Sequence, residues 1–144
     1  MLPEVSFYVL ASQQPAQRQV FACKLIEKIY RSGQVCYVLT DTAEQARELD
    51  NQLWTFRPGS FVPHQLYSGT EPAFTQTILI GGLAIPSAWS GVIVNLSTLY
   101  PPTVAPTQRI LEILDQSASS LEAGRQRYRH YQQVGIEVVT HKIS

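Results

Sequence analysis

The residues with the clearest chemical potential form a short basic and aromatic segment near the carboxyl end of the chain, residues 125–133 (RQRYRHYQQ). On a helix, Arg125, Tyr128 and Arg129 are spaced i, i+3 and i+4, so their side chains share one face, whereas Arg127 and His130 point elsewhere. Guanidinium groups form charge-assisted, bidentate hydrogen bonds with carboxylates, and a tyrosine ring beside them offers an apolar wall. The pattern fits a site for a small acidic ligand, although composition alone favours a solvated basic face near a helix end.

A second candidate surface lies at residues 53–64 (LWTFRPGSFVPH). It carries Trp54 and Phe61 in a segment rich in turn residues, and large aromatic side chains dominate the energetics of protein interfaces. The alternative is that Trp54 completes the buried face of a helix and Phe61 folds inward as an anchor; the residues alone leave both open. Beside proline and phenylalanine, His64 is more typical of a hydrogen-bonded structural residue than of a catalytic base.

Signatures of catalysis, nucleotide binding and metal binding are missing from the sequence. The turn after the first predicted strand, residues 11–18 (ASQQPAQR), has no glycine, so the Gly-rich loops that cradle phosphates are absent. There is no GxSxG motif. Cys23 and Cys36 lack the CxxC spacing and the nearby histidine of a zinc site, so we expect two buried thiols. We therefore expect no catalytic residues, no cofactor and no metal ion.

Length, charge and the amino terminus narrow the class of protein further. The 11 basic and 11 acidic residues balance, whereas a dedicated nucleic-acid binder normally carries a basic excess. The start MLPEVSFYVL lacks the basic region and cleavage site of a signal peptide, and no apolar run approaches the roughly 18 residues that span a bilayer. We expect a single domain over residues 1–144, soluble and cytoplasmic.

The elements that must hold these residues begin with a strand, a helix and a strand. Residues 6–10 (SFYVL) and 34–40 (QVCYVLT) predict buried parallel strands. An amphipathic helix with Pro15 in its first turn, ended by Gly33 as a left-handed cap, joins them. Its solvent face is expected to carry Lys24, Glu27 and Lys28.

The rest of the chain continues the alternation. A capping box at residues 41–44 (DTAE), with Asp41 as the cap, predicts a second helix, and a long loop follows at residues 55–74. Further elements are strands at 77–82 and 92–97, a short helix at 108–115, a helix from Ser119 or Ser120 to about Val134, and a final strand at 136–143. This order predicts a three-layer α/β/α sandwich, Rossmann-like, with a mostly parallel sheet and no nucleotide-binding Gly loop.

Four segments together resemble the chi subunit of bacterial DNA polymerase III holoenzyme: SFYVL, the tryptophan-bearing helix followed by SFVPH, VIVNLS, and RQRYRHYQQVG ahead of the last strand. The similarity runs essentially end to end. The SFVPH segment and the RxRYRxYxxxG helix are its specific parts, the strands are generic, and residues 66–91 match poorly.

The resemblance implies a Rossmann-like clamp-loader accessory subunit without nucleotide chemistry. Members of that family pair with the psi subunit and bind the acidic, phenylalanine-terminated tail of single-stranded-DNA-binding protein. The family's tail-binding residues match Arg125, Tyr128 and Arg129, the last an arginine where some relatives have lysine. The psi-binding surface carries over to the tryptophan and the SFVPH segment: Trp54, Phe61, Pro63 and His64.

Three hypotheses follow. The leading one is a non-catalytic module that bridges psi to the acidic tail, with little direct nucleic-acid binding. The alternative is direct binding of single-stranded nucleic acid, with Tyr128 and Tyr131 stacking on bases and the arginines on phosphates. A third, a nucleotide-dependent enzyme, is disfavoured by the glycine-free first turn.

Overall fold

The computed structural model describes residues 2–70, 76–86, 89, 91–101, 107 and 109–143. Within them the elements run β1 (Glu4–Leu10), α1 (Pro15–Arg31), β2 (Cys36–Leu39), α2 (Ala43–Thr55), β3 (His64–Leu66), β4 (Ile78–Gly81), β5 (Val92–Asn95), β6 (Arg109–Leu114), α3 (Ala118–Gln133) and β7 (Val138–Ile143). The strands of this described part form one parallel sheet in the order β3-β4-β2-β5-β6-β1-β7.

Helices cover both faces of this sheet. α1 and α2 share one core with side chains from alternate strand positions, such as Val38 and Ile80. α3 packs on the opposite face, where Tyr131 joins a second core with Phe7 and Tyr37. The central strands β2, β4 and β5 are buried at every position, as expected for parallel strands covered on both sides. The prediction of a three-layer α/β fold with a mostly parallel sheet is confirmed.

The predicted helix at residues 108–115 is wrong, because residues 109–114 (RILEIL) form strand β6. Ile110 and Leu114 enter the core beneath α3, whereas Leu111 and Ile113 enter the core beneath α1. A short apolar run that is buried on both faces has no periodicity to separate a strand from a helix. Only the neighbouring strands β1 and β5 decide the outcome, since β6 pairs between them.

The long loop predicted at residues 55–74 contains a strand that the sequence did not reveal. β3 has three residues and pairs with β4 through His64 and Ile78. A strand this short leaves too little alternation to detect against the proline and glycine around it. Residues 71–74 of this loop and residue 108 of the predicted short helix lie outside the described residues.

The predicted carboxyl ends of α1 and α3 agree with the structure, whereas the predicted amino-terminal cap residues of α2 and α3 do not. Thr42 rather than Asp41 caps α2, because its hydroxyl accepts a hydrogen bond from the Gln45 amide at 3.0 Å. Gln45 returns the contact by accepting from the Asp41 amide at 2.8 Å. Ser117, not Ser119 or Ser120, is the residue at the start of α3. Gly33 and Gly135 follow α1 and α3 with φ of 87°, so both predicted helix ends are confirmed.

A buried carboxylate in β6 holds α3 against the sheet. Glu112 has no exposed surface and accepts hydrogen bonds from Arg127 Nε at 2.9 Å, from the Tyr131 hydroxyl at 2.6 Å and from Asn95 Nδ2 at 3.2 Å. Burial raises the pKa of the Glu112 carboxyl, while Arg127 and the hydrogen bonds act in the opposite direction. This group could not be predicted from the sequence, because a glutamate inside an apolar run has no local signal for its distant partners.

Close packing reinforces this attachment. Gly124 of α3 faces Leu114, and a Cβ atom built on Gly124 would lie 2.5 Å from Leu114 Cδ1. The missing side chain therefore lets the helix backbone approach the end of β6. Together with Arg127 and Tyr131, which lie one turn apart, this contact fixes which face of α3 is buried.

Replacing Glu112 with alanine should lower the free energy of unfolding by about 3 to 5 kcal/mol, because Arg127 would remain buried without its partner. Urea unfolding followed by circular dichroism measures this. Glu112→Gln keeps an acceptor for Arg127 and should lose less. The exposed Glu48→Ala serves as control and should stay within about 0.5 kcal/mol of the wild type. A loss below 1 kcal/mol for Glu112→Ala would contradict the assigned role.

Candidate functional site

A hollow of about 320 Å³ lies between α3 and the β1–β7 side of the sheet. Its lining joins apolar side chains to the three residues singled out from the sequence: Phe7, Val9, Leu114, Leu121, Gly124, Arg125, Tyr128, Arg129 and Thr140. The volume falls at the lower end of the range typical of ligand pockets, about 300 to 1,000 Å³. The structure thus brings Arg125, Tyr128 and Arg129 together, as their helical spacing predicts.

The inner face of α3 determines where these side chains point. Arg127 is buried against Glu112, and Tyr131 lies one turn further along the same face. Arg125 and Arg129 are also one turn apart, but each lies two residues from Arg127 and therefore on a different face of the helix. Both side chains stay exposed beside the hollow. The three arginines of residues 125–133 therefore have two different roles, one structural and two available to a ligand.

Tyr128 forms a wall of the hollow. Its ring contacts Phe7 edge to face, with ring centroids 5.5 Å apart and planes at 77°. Phe7 is buried and also meets Tyr131 edge to face at 6.1 Å. Such arrangements suit the aromatic quadrupole and fix the ring orientation. Tyr128 is only partly buried, so one side of its ring is open to a ligand.

The charges at the rim of the hollow are weakly engaged. Arg125 Nη1 lies 3.5 Å from Glu122 Oε2, and the two side chains are 63% and 59% exposed. Ion pairs this exposed contribute little stability, so a ligand carboxylate can displace Glu122 at small cost. A group that carries both negative charge and an apolar tip matches this combination of guanidinium groups and apolar walls.

The two tyrosines named in the nucleic-acid hypothesis are not equivalent. Tyr131 has no exposed surface, and its hydroxyl donates to Glu112. The prediction that Tyr131 stacks on bases is therefore wrong, because a base cannot reach its ring. Tyr128 alone remains accessible of the two, which removes half of the stacking platform that the hypothesis requires.

At the other edge of the sheet, Trp54 and Phe61 are 59% and 81% exposed. The interpretation that they fold inward is wrong; among residues 60–64 the buried ones are Ser60, Val62 and His64. We refer to the side chains of Trp54 and Phe61 and the exposed Pro63 as the aromatic patch. Exposed aromatic residues that cluster on a surface are typical of protein interfaces.

His64 lies beneath the aromatic patch and not on it. Its Nδ1 is 2.7 Å from the Val62 carbonyl oxygen, and its Nε2 is 3.0 Å from the Asp50 carbonyl oxygen. The imidazole ring contacts Trp54 with centroids 4.5 Å apart. This geometry fits the structural interpretation of His64: it links α2 to β3 and supports the indole from below.

An ion-pair cluster around one buried carboxylate anchors the loop that carries Phe61. Glu27 of α1 is buried and accepts a hydrogen bond from the Ser60 hydroxyl, and its carboxylate lies 3.1 Å from Arg57 and 3.5 Å from Arg31. The Ser60 hydrogen bond is the main cause that lowers the pKa of Glu27, and the two arginines add to it against the effect of burial. The prediction that Glu27 lies on the solvent face of α1 is therefore wrong. The cause is a loop 30 residues away, which helical periodicity does not register.

The remaining candidate groups have structural roles. Cys23 and Cys36 are buried free thiols, as predicted, and burial raises the pKa of Cys23 to about 12. Among the described residues, no cluster of three or more His, Cys, Asp and Glu side chains is placed to hold a metal ion. None of the helices in that part of the chain is both long enough and apolar enough to cross a membrane.

Comparisons with known proteins agree with the motifs. A family model described as DNA polymerase III chi subunit, HolC, matches residues 2–139. A protein named DNA polymerase III subunit chi from Pseudomonas aeruginosa is 30% identical over 142 residues, 99% of this chain and 98% of the relative. Proteins of the same name from Haemophilus influenzae and Escherichia coli are 26% and 25% identical, covering 99% and 82% of this chain and 99% and 80% of the relatives.

The chain belongs to the chi subunit family of DNA polymerase III. The resemblance stated from the SFVPH segment and the RxRYRxYxxxG helix is confirmed. Family membership implies an accessory role in bacterial DNA replication and suggests that this role is not catalytic.

The Glu27 cluster should make the stability of the protein depend on pH. Replacing Glu27 with glutamine should lower the free energy of unfolding at pH 7 by about 1 to 3 kcal/mol, since hydrogen bonds to a charged group are lost. Because the pKa of Glu27 is lowered on folding, the difference from wild type should be full above the ordinary glutamate pKa, about 4.3, and vanish as pH falls through the lowered value.

Urea unfolding across a pH series measures the difference. The exposed Glu48→Gln is the matched control and should show no such gap. A gap for Glu27→Gln that persists or widens under acid would show that the ion pairs do not stabilise the loop.

Proposed function

We propose that this chain is a non-catalytic bridging subunit of the replication machinery. Its hollow captures the acidic, phenylalanine-terminated tail of single-stranded-DNA-binding protein, and its aromatic patch docks the psi subunit of the clamp-loader complex. The observation that carries the proposal is the hollow itself, where two exposed guanidinium groups meet apolar walls. Such a role belongs to the bacterial cytoplasm, in keeping with the expectation from the sequence.

The chemistry of the hollow matches the tail at two points. Arg125 and Arg129 supply donors for the terminal carboxylate and for acidic side chains, and Phe7, Val9 and Leu114 supply an apolar floor for a phenyl ring. Each charge-assisted hydrogen bond contributes roughly 1.5 to 3 kcal/mol before screening. At physiological salt the screening length is about 8 Å, so an exposed contact of this kind has moderate, salt-sensitive affinity.

The aromatic patch suits a lasting contact. Trp54 and Phe61 present large apolar surfaces on a support that His64 and the Glu27 cluster hold in place. Rigid, exposed aromatic side chains are the residues that most often dominate interface energetics, because little conformational entropy is lost when a partner covers them. Pro63 adds an apolar, rigid neighbour.

The two surfaces are far enough apart to act together. The aromatic patch adjoins β3 and the hollow adjoins β7, which are the two ends of the described sheet order. Neighbouring strands lie about 4.8 Å apart, so these ends are separated by about 30 Å. Two partners can therefore bind at once without contacting each other, as a bridge requires.

Replacing Arg125 with alanine should weaken binding of a synthetic acidic, phenylalanine-terminated peptide about tenfold or more, because a charge-assisted contact is lost. Calorimetric titration at low and physiological salt measures the affinity. Arg47→Ala removes an exposed arginine from α2, on the opposite face of the sheet, and should bind the peptide as the wild type does. Unchanged affinity in Arg125→Ala would remove the assignment of the hollow.

Fluorescence anisotropy with a labelled oligonucleotide is the companion measurement. Weak binding is expected at low salt, since the chain has no net charge and Tyr131 is inaccessible. Tight binding that Arg125→Ala abolishes would favour the nucleic-acid hypothesis instead.

Replacing Trp54 with alanine should weaken binding of the psi subunit by about 2 kcal/mol or more, because an exposed anchor residue is truncated. Phe61→Ala should act in the same direction. Surface plasmon resonance with immobilised psi measures both, and peptide binding at the hollow should be unchanged. The exposed Leu83→Ala serves as an apolar control. Full psi affinity in both aromatic variants would refute the docking assignment.

A further inference from the structure

Within the part of the chain that the structure describes, strand β7 offers an unpaired backbone edge. It is the last strand in the sheet order of the described residues, and its four central residues, 139–142, are exposed. The exposed fraction of Val139 is 53%. A sheet edge presents amide and carbonyl groups that can pair with another extended chain. Whether another chain can pair here depends on which amide and carbonyl groups face outward and on which side chains lie beside them.

The hydrogen bonds to β1 settle the orientation of the β7 backbone. The Ala11 amide donates to the Ile143 carbonyl at 3.0 Å, and the parallel register from Val5–Val138 to Leu10–Ile143 has no interruption. The amide and carbonyl of one strand residue point to the same side, and the side alternates along the strand. Residues 139, 141 and 143 therefore face β1, whereas Val138, Thr140 and Lys142 direct their amide and carbonyl groups outward.

Thr140 connects this edge to the hollow. It lines the hollow and is in register with Phe7, which lies on the floor of the same hollow. A peptide whose last residue fills the hollow therefore passes close to the outward amide and carbonyl groups of Thr140. Because alternate side chains share a face, Lys142 projects on the same side of the sheet as Thr140.

Charge gives the edge a direction. Glu137 precedes β7, whereas Lys142 lies near its carboxyl end, and both are exposed. An acidic chain is repelled at the first end and attracted at the second. With its terminal residue held near Thr140, its preceding acidic residues lie most favourably toward Lys142, which is an antiparallel arrangement.

We propose that the acidic tail binds as an added strand: its terminal residue fills the hollow while the preceding residues pair antiparallel with the outer edge of β7, through Thr140 and Lys142. This inference rests on the proposed function of the hollow and adds the mode of recognition. Main-chain pairing supplies affinity in strand addition, and alternate side-chain pockets supply specificity. Arg125, Arg129 and Lys142 then read the charge of the tail.

Amide hydrogen exchange measured by NMR tests the proposal on the unaltered protein. Saturation with the synthetic acidic peptide should slow exchange at the amides of Thr140 and Lys142. The amides of Val139 and His141 should change little, since they already donate to β1. Slower exchange at Val138 in place of Lys142, or no change along β7, would overturn the antiparallel pairing.

Peptides methylated on single backbone nitrogens give a second, independent readout. Alternate backbone nitrogens of a paired peptide face β7. The affinity of the peptide should fall about tenfold when a nitrogen that faces β7 is methylated, and should stay near that of the unmodified peptide when the next nitrogen along the peptide is methylated. In the protein, Thr140→Pro removes an outward amide without removing a bond to β1, and prolines are tolerated at such edge positions. It should weaken binding to a similar extent, whereas Thr140→Ala, which alters the lining of the hollow but keeps the amide, should weaken binding less.

Arg125→Ala separates the two levels of the proposal. If Arg125→Ala loses peptide affinity but the methylated series shows no alternation, the hollow binds the tail and strand addition is wrong. If Arg125→Ala binds the peptide fully, the proposed function fails and the strand-addition proposal fails with it.

Discussion

The attachment of α3 to Glu112 is the interaction on which the hollow depends. A carboxylate fully removed from water is tolerated because three donors from α3 and β5 surround it, and the partner that matters most, Arg127, comes from the same segment as the ligand-facing arginines. Once Arg127 and Tyr131 are held inward, the periodicity of the helix alone places Arg125 and Arg129 on its exposed side. Gly124 sets the distance of the helix from the sheet, and so the depth of the hollow.

A different device supports the opposite edge of the sheet. There, exposed aromatic residues are carried by a loop, and the loop is fixed to α1 by the Glu27 cluster and to α2 by His64. In both places a buried polar residue lies close along the chain to an exposed one: Arg127 is two residues from Arg125 and from Arg129, and Ser60 is next to Phe61. Buried polar groups that are well paired favour one defined arrangement over looser apolar alternatives. For a protein whose surfaces must fit partners, having one defined arrangement is more important than the small gain in stability.

Much of the fold and of the hollow was predictable from the sequence, because the signals involved are local. Helix periodicity, the glycine ends and the spacing of Arg125, Tyr128 and Arg129 each reside within a few residues. What could not be predicted depends on distant partners. β6 is a strand because β1 and β5 flank it; Glu27 is buried because Ser60 and Arg57 fold over it; and the exposure of Trp54 follows from the position of His64 beneath its ring. The periodicity within a single helix or strand registers none of these contacts, because each joins different elements of the fold.

The balance of charge in the chain explains why global composition says little about its ligands. Of the arginines in residues 125–133, one is neutralised inside the protein by Glu112, and the others stand where Glu122 opposes only one of them weakly. A net charge of zero therefore coexists with a local positive field at the hollow, confined at physiological salt to about 8 Å. A polyanion such as DNA gains little from so small a field, since its affinity depends on many neutralised phosphates. A short acidic chain end, with one apolar residue to bury, can use all of it.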